Sequence, residues 1–197
     1  MYTIIGLGNP GAEYETTRHN VGWIVLREIV ARHTLPSFTK SSPFSGLLSE
    51  GMLHNTEVGI LFPTTFMNNS GTATAKYVKE KGSLDTLIVV HDDIDIAFGE
   101  VKISYDRGSG GHNGIKSIID ALGSPKFVRI RVGIAPRGFF GNIKRPAGEK
   151  LSQYVLGNFK TGELKSIETI SEKVDTAISR IVEKGVAIAM QEVNSKE

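Results

Sequence analysis

A run of four apolar residues, Leu87 to Val90, ends directly in His91, Asp92 and Asp93. Because the run does not alternate with polar residues, both of its faces must be buried, which is typical of a central strand in an α/β sheet. In open α/β sheets, ligands bind beyond the carboxyl ends of the strands. The run therefore predicts an α/β fold and places a polar cluster where such folds bind ligands.

The other apolar segments fit the same fold class. Short apolar runs predict strands, and apolar residues at helical spacing predict helices. Strands are predicted at residues 2–5, 46–52, 58–62, 99–105 and 127–134, and helices at 21–30, at 115–122 and in a segment that ends near Lys81. The sequence has no internal repeat, so we predict a single domain over residues 1–197, with a twisted mixed β-sheet flanked by helices.

The C-terminal part gives less regular signals. Apolar residues at helical spacing predict a long amphipathic helix at about 161–192, with Gly185 as a break. Residues 136–150 contain Gly and Pro and predict a mobile loop, in which Phe139 and Phe140 could cover a site. Residues 154–157 are interpreted as a short turn or strand, and His54 as an exposed turn residue.

Composition excludes several classes of protein. The chain has 197 residues, 40% of them hydrophobic and 22% charged, which is ordinary globular usage. It has no cysteine, so it has neither a disulfide framework nor a thiolate nucleophile. The N-terminal apolar residues are interpreted as a buried strand rather than a signal peptide, and no apolar run is long enough to span a membrane, so we expect a cytoplasmic protein with no membrane partner. Nothing in the sequence resembles the surface of an obligate dimer, so we also expect a monomer.

Charge is unevenly distributed along the chain. The net charge is only +2, but the segment from Lys102 to Lys150 has ten basic and three acidic residues, a net charge of +7. A basic segment in an otherwise acidic chain suggests a polyanionic partner, but a solvated basic face explains the charge equally well.

The connection between the first strand and the first helix, Gly6 to Asn20, is long and rich in Gly, Asn and Thr. Gly6, Gly8 and Gly11 match the dinucleotide-binding pattern G-x-G-x-x-G. In that fingerprint, however, the helix begins at the glycines. Here Pro10 interrupts the pattern, and the helix is predicted to begin near Asn20, with Asn20 as its N-cap. The same connection places His19 directly before the helix.

Three other segments could bind or transform a ligand. Asp92, Asp93 and Asp95 could hold Mg²⁺. The glycine-rich loop before His112 and Asn113 exposes backbone N–H groups to a ligand, but it lacks the P-loop ending. Arg129 and Arg131 alternate on one strand and share a face, which favours phosphate binding.

Polar residues recur at strand ends and helix starts, which meet at one edge of an α/β sheet. The set comprises Asn9, His19, Asn68, Asp92, His112 and Asn113. A histidine with a carboxylate partner is the minimum for general-base catalysis, because the carboxylate fixes the tautomer and leaves the other ring nitrogen to deprotonate water. Without a clear nucleophile, direct attack of water on an ester is the simplest chemistry.

These motifs resemble the bacterial peptidyl-tRNA hydrolase family along nearly the whole chain. The matching segments are Gly6-Leu-Gly-Asn-Pro-Gly, Thr17-Arg-His-Asn, Thr65-Phe-Met-Asn-Asn-Ser-Gly, His91-Asp-Asp-Ile-Asp, Gly110-Gly-His-Asn-Gly, Phe127-x-Arg-x-Arg-Val-Gly-Ile and Tyr154-Val-Leu-Gly. The resemblance implies hydrolysis of the ester between a peptide and the 3′ ribose of tRNA, without metal or cofactor.

The resemblance also implies roles for single residues. His19 would accept the proton of the attacking water, Asp92 would orient His19, and Asn9 would help to distinguish N-blocked from free aminoacyl-tRNA. Tyr14 and Phe66 would contact the 3′ CCA end, where aromatic rings stack on single-stranded nucleotides. The other expected substrate and acceptor-arm contacts are Met67, Asn68, His112, Asn113, Lys102 and one of Arg129 and Arg131.

Departures and alternatives remain open at this point. Asp93 stands where many members of the family have Glu, and the 136–150 loop lacks the usual Gly-x-Pro pattern. A non-catalytic RNA-binding module would explain the basic segment, an oxidoreductase the glycine pattern, and a metal-dependent phosphoesterase the aspartates.

Overall fold

The computed structural model describes residues 1–137 and 143–195, and within them seven strands form one mixed β-sheet. The strands are β1 (Tyr2–Gly6), β2 (Thr39–Ser41), β3 (Gly46–Leu53), β4 (Thr56–Pro63), β5 (Leu87–Ala97), β6 (Val101–Tyr105) and β7 (Val128–Ala135), in the order β2-β3-β4-β1-β5-β7-β6. Strands β4, β1, β5 and β7 run parallel, whereas β2, β3 and β6 pair antiparallel with their neighbours. The predicted single-domain α/β fold with a mixed sheet is confirmed.

Helices cover both faces of the sheet. In the described residues they are α1 (Val21–Arg32), α2 (Ser70–Lys81), α3 (Asn113–Leu122), α4 (Glu149–Val155), α5 (Thr161–Leu164), α6 (Ile167–Lys184) and α7 (Val186–Asn194). Along β5, Ile88 and Val90 pack in the same core as α1 and α6, whereas Leu87 and Val89 pack with α2 and α3. Both faces of β5 are therefore buried, as its apolar sequence predicts.

The C-terminal region differs from the sequence prediction. The single helix predicted at 161–192 is divided into α5, α6 and α7; Gly185, with φ of 80°, separates the last two as expected. Residues 154–157 are not a strand, since Tyr154 lies in α4 and the chain turns after it. Helix α4 also includes the last residues of the predicted 136–150 loop, and the Phe139–Phe140 pair lies outside the described residues.

Side chains from distant parts of the chain complete this framework. Asn194, at the end of α7, pairs with the backbone of β6: its Nδ2 donates to Ile103 O at 2.9 Å and its Oδ1 accepts from Ile103 N at 2.8 Å. His54 lies in the predicted turn but is not exposed, because Asp175 binds its ring. Nowhere in residues 1–137 or 143–195 is there a helix long and apolar enough to cross a membrane.

Candidate active site

Helix α1 begins against the carboxyl ends of β1 and β5, and Gly22 makes this approach possible. A Cβ atom at Gly22 would lie 2.5 Å from Val90 O and 2.8 Å from Leu7 O, so a larger residue would push the helix away. Because α1 starts at Val21, ten residues after Gly11, the glycine pattern does not open a helix as a dinucleotide-binding fingerprint does. The close packing instead brings His19 to the end of β5.

His19 and His112 both bind the carboxylate of Asp92. His19 Nδ1 lies 2.8 Å from Asp92 Oδ1, and His112 Nε2 lies 2.9 Å from the same oxygen. The Asp92 side chain is only 3% exposed, whereas that of His19 is 12% exposed and lines a cavity of about 710 Å³. With Nδ1 bound to the carboxylate, Nε2 of His19 is the ring nitrogen that can accept a proton.

The backbone fixes the tautomer of His112. Its Nδ1 accepts hydrogen bonds from the N–H groups of Gly114 and Ile115, at 3.1 and 3.3 Å, and so forms the N-cap of α3. Since Nδ1 accepts, Nε2 must be the atom that bears the proton and donates to Asp92. The sequence predicted His112 as a substrate-binding residue; in the structure its ring lines the cavity and binds Asp92.

The contacts in this cluster shift the pKa values of Asp92 and His19. Burial would raise the pKa of Asp92, but the neighbouring His19 and His112 rings and their hydrogen bonds hold it far below its ordinary value. Burial would likewise lower the pKa of His19, yet the charge and hydrogen bond of Asp92 outweigh burial and raise that pKa above its ordinary value. Asp92 is therefore a permanent anion that stabilises a protonated His19.

His91, beside this cluster, was not singled out as a site residue. Its Nδ1 donates to Asp92 O at 2.7 Å, and its ring packs edge-on against His112, with 4.8 Å between ring centroids. Complete burial, together with the neighbouring His112, lowers the pKa of His91 well below its ordinary value. The ring is therefore neutral and supports the backbone and the His112 ring.

Asn9 is held by Asn20, a residue that the sequence predicted only as a helix cap. Asn20 makes no capping bond; its Oδ1 accepts from Asn9 N at 2.8 Å and its Nδ2 donates to Asn9 O at 2.9 Å. The Asn9 side chain in turn accepts from Met67 N at 2.7 Å through Oδ1. Asn9, buried to 7% exposure, therefore has only its Nδ2–H groups left to offer a substrate.

Met67 joins this arrangement to the histidine cluster. A Cβ at Gly114 would lie 2.5 Å from Met67 Sδ and 3.2 Å from His112 Cε1, so both side chains flank Gly114. Met67 is buried, whereas Asn68 beside it and Asn113 at the start of α3 are exposed. The cavity is lined by Asn113 but not by Asn68.

The predicted aromatic contacts differ in exposure. Phe66 is 53% exposed, with φ of 59° and ψ of 158°, a backbone region that is essentially restricted to glycine. Tyr14 is half-buried at the end of a short 3₁₀ helix, Ala12–Tyr14. Phe66 thus holds a strained backbone while its ring faces solvent, and such strain is typical of functional sites.

Arg129 and Arg131 share a face but have different partners. Arg129 is 3% exposed, and its guanidinium donates to the carbonyls of Arg107 and Gly108, which fixes the glycine-rich loop. Burial and the charge of Arg131 lower the pKa of Arg129 to about 10, so it remains a cation at neutral pH. Arg131 is 30% exposed and donates through Nε to Asp93 Oδ2 at 2.7 Å, opposite Lys102 on β6.

The aspartates that suggested a magnesium site bind different partners. Asp92 contacts the histidines, Asp93 contacts Arg131, and Asp95 Oδ1 lies 2.8 Å from Arg145. In the described part of the chain these carboxylates do not form a group at ligand distance from one another. At this site, His19, Asp92 and His112 do have ligand atoms within 4.8 Å of one another and could hold a metal ion.

Comparisons with known proteins identify the family of this chain. The family model for peptidyl-tRNA hydrolase matches residues 3–197. The peptidyl-tRNA hydrolase of Geobacter metallireducens is 40% identical over 195 residues, covering 98% of this chain and 95% of the relative. That of Syntrophotalea carbinolica is 35% identical over 198 residues, covering 100% of this chain and 98% of the relative.

A solved structure shares the fold as well. The crystal structure of peptidyl-tRNA hydrolase from Acinetobacter baumannii superposes with a TM-score of 0.86 at 27% identity, covering 99% of this chain and 95% of that chain. The match of the family model, the identity to relatives of nearly equal length and the common fold lead to one conclusion: this chain belongs to the peptidyl-tRNA hydrolase family.

Proposed function

We propose that this chain hydrolyses the ester that joins a peptide, or an N-blocked amino acid, to the 3′ ribose of tRNA. Membership of the family supports this substrate. The observation that supports the mechanism is the hydrogen bond between His19 and a buried, permanently charged Asp92 at the wall of the cavity. This pairing is the arrangement that general-base catalysis requires.

The reaction then has two steps. In the first, His19 Nε2 takes a proton from water as the water oxygen attacks the ester carbonyl carbon. In the second, the tetrahedral intermediate collapses, the bond to the ribose 3′ oxygen breaks, and His19 returns the proton to that oxygen. The products are a peptide carboxylic acid and tRNA with a free 3′ hydroxyl. No cofactor enters this scheme, and since the groups all come from one chain, we propose that it acts as a monomer.

His112 has a positioning role in this scheme. The N–H groups of Gly114 and Ile115 anchor the His112 ring at Nδ1. The other ring nitrogen, Nε2, donates to Asp92 Oδ1 and so fixes the carboxylate. A carboxylate held at one oxygen by His112 keeps that oxygen in place for His19 Nδ1. We expect a His112 variant to alter the pH dependence of the reaction through Asp92 rather than the affinity for substrate.

Asn9 would select N-blocked substrates. With Oδ1 bound to Met67 N, its free Nδ2–H groups are hydrogen-bond donors, and the acyl carbonyl of an N-blocked amino acid is an acceptor. A free aminoacyl-tRNA presents an ammonium group at that position, which is a donor and a cation. A buried donor without an acceptor is costly, so the free form is disfavoured. We expect Asn9→Ala to reduce the preference for N-blocked substrate.

The tRNA would lie over the exposed ring of Phe66, the ring of Tyr14 and the basic face of the cavity. Arg131 is the better candidate for a phosphate contact, because Arg129 is buried and already holds two carbonyl groups. A phosphate bound by Arg131 and Lys102 would compete with Asp93 for the guanidinium. Asn68 and Asn113, both exposed, would donate and accept hydrogen bonds along the acyl chain.

The experiment is release of N-acetylated amino acid from acetyl-aminoacyl-tRNA in the presence of EDTA. Wild type should be fast, and His19→Gln should lose about 10²-fold or more in kcat. His54→Gln is the matched control, since it makes the same replacement far from the cavity, and it should turn over like wild type. Equal rates for His19→Gln and wild type would contradict the assignment of the base. No release by wild type would instead favour an RNA-binding module without catalysis.

A further inference from the structure

Another cluster of histidine and aspartate lies at the end of the sheet opposite the cavity. His33 follows the end of α1, His54 lies in the turn before β4, and Asp175 lies on α6. Because β4 runs parallel to β1, the turn before it lies at the amino ends of the parallel strands, whereas the cavity lies at their carboxyl ends. None of the three residues lines the cavity.

The two imidazoles converge on one carboxylate. His33 Nε2 lies 2.7 Å from Asp175 Oδ2, and His54 Nε2 lies 2.8 Å from Asp175 Oδ1. The rings meet edge to face, with centroids 5.0 Å apart, and the ligand atoms lie within 4.8 Å of one another. The side chains are only 28%, 17% and 14% exposed for His33, His54 and Asp175. The cluster is therefore preorganised and mostly shielded, yet open to solvent on one side.

We propose that His33, His54 and Asp175 form a binding site for Zn²⁺ or a similar first-row divalent cation. Two imidazole nitrogens and one carboxylate oxygen are a frequent set of protein ligands for zinc, with water in the fourth position. Tetrahedral zinc with bonds of about 2.0–2.1 Å separates its ligand atoms by about 3.3 Å, so the contact between the ligating carboxylate oxygen and its imidazole would lengthen by about half an ångström. The other imidazole, which now contacts the second oxygen of Asp175, would turn toward the shared cation. The partly exposed side provides room for the water.

Zinc binding needs the two Nε2 atoms without their protons. In the present arrangement both Nε2 atoms donate to Asp175, so on binding each neutral ring would move its proton to Nδ1. No oxidant or further reactant is required. The negative charge of Asp175 would offset part of the charge of the cation, and hard cations that prefer only oxygen ligands, such as Mg²⁺, would bind poorly.

A bound cation would connect three separate elements. It would cross-link the end of α1, the β3–β4 turn and the middle of α6, which contribute ligands 21 to 142 residues apart in sequence. A ligand that binds only the folded state stabilises it by mass action. We therefore expect zinc to raise the thermal stability of the protein and leave ester hydrolysis unchanged.

The test is calorimetric titration of the metal-stripped full-length protein with ZnCl₂. Because His19, Asp92 and His112 could also take up metal, the titration is made in wild type and in His19→Gln, which lacks one ligand of that cluster. His19→Gln should retain one zinc site, and adding His54→Gln or Asp175→Asn should weaken that site by at least about tenfold. Asp85→Asn, an exposed aspartate elsewhere, is the matched control and should change nothing.

Two further measurements decide the interpretation. Zinc should raise the midpoint of thermal unfolding of His19→Gln but not that of the double variant His19→Gln/His54→Gln. The single variant His54→Gln should hydrolyse substrate at the wild-type rate, which would show that the replacement of His54 does not prevent folding. The proposal is overturned if His19→Gln binds no zinc at micromolar concentration, or if its binding is unaffected by both His54→Gln and Asp175→Asn. Either result would leave the cluster as a hydrogen-bonded link between the three elements.

Discussion

At the scale of single residues, Asp92 determines when His19 can act as a base. Its carboxylate raises the pKa of His19, and only the deprotonated ring accepts a proton, so activity should rise with pH through that raised pKa. In Asp92→Asn, the His19 ring remains buried but loses the neighbouring negative charge, so the pKa of His19 should fall. The midpoint of the profile of kcat/KM against pH should therefore move to lower pH. The plateau should fall by about 10²-fold or more, because the tautomer is no longer fixed. If Asp92→Asn lowers the plateau but leaves the midpoint unchanged, Asp92 does not set the pKa of His19.

Phe66 illustrates a conflict between stability and function in one residue. Its backbone lies in a region that costs about 1–3 kcal/mol for a residue with a side chain, whereas glycine costs about 0.5–1 kcal/mol in lost flexibility. Phe66→Gly should therefore unfold at an equal or higher denaturant concentration. Its KM for acetyl-aminoacyl-tRNA should rise about fivefold or more, because one stacking surface is lost.

Phe66→Tyr is the control for this experiment, since it retains both the ring and the backbone strain. It should match wild type in KM and in stability. If Phe66→Gly binds substrate as well as Phe66→Tyr does, the exposed ring does not contact the tRNA.

At the scale of elements, Arg18 links two parts of the fold: the segment between β1 and α1, which bears His19, and the C-terminal helices. Its guanidinium donates to Gly157 O at 3.2 Å and to Glu163 Oε2 at 2.8 Å, and lies 4.4 Å from the centre of the Tyr154 ring. Arg18→Met keeps most of the apolar stem but removes the ion pair with Glu163, the bond to Gly157 O and the cation–π contact with Tyr154, which should lower the free energy of unfolding by about 1–3 kcal/mol. Turnover should also fall, because the neighbouring His19 is less firmly held.

Arg180→Met is the matched control. Arg180 lies on α6 with its side chain 37% exposed, and within the described residues its ion pairs are with the partly exposed Glu183 and Glu192, so its loss should change stability by less than about 1 kcal/mol. Urea unfolding of both variants measures the difference. Equal stabilities for Arg18→Met and Arg180→Met would show that the link is not stabilising.

The elements that the sequence predicted well are those with a strong burial pattern. The uninterrupted apolar run of β5 and the helical spacing in α1 and α6 each correspond to residues packed in a core. Helix α4 was missed because none of its seven residues is buried, so its sequence has no apolar periodicity to detect. The break between α5 and α6 carries no glycine or proline as a signal.

Long-range contacts account for the other differences. Asn20 follows a local rule for helix caps, but its amide binds the backbone of Asn9, eleven residues earlier. Alternation placed Arg129 and Arg131 on one face correctly, yet only the folded position of the glycine-rich loop determines which of them is buried. The pairing of His19 with Asp92 joins residues 73 positions apart, and the sequence suggested it through strand ends and family motifs rather than through spacing.

At the scale of the whole molecule, four basic residues of the segment from Lys102 to Lys150 line the cavity: Arg107, Arg129, Arg131 and Arg145. If Arg131 contacts a phosphate, Arg131→Ala should weaken tRNA binding and reduce the slope of log affinity against log salt by about one. Arg180→Ala, which removes the same charge from a side chain that does not line the cavity, should leave the slope unchanged. Binding at several salt concentrations measures both, and an unchanged slope for Arg131→Ala would remove it from the interface.

The bonds between Asn194 and Ile103 also bear on how the protein behaves at high concentration. Strand β6 is the outermost strand of its end of the sheet, and unpaired backbone groups on an outer strand can recruit a strand from another molecule. The amide of Asn194 occupies both groups of Ile103 from within the same chain. Asn194→Ala should therefore self-associate more readily than wild type in light scattering, while Asn68→Ala, an exposed asparagine elsewhere, should not. One amide near the end of the chain thus protects the solubility of the whole molecule.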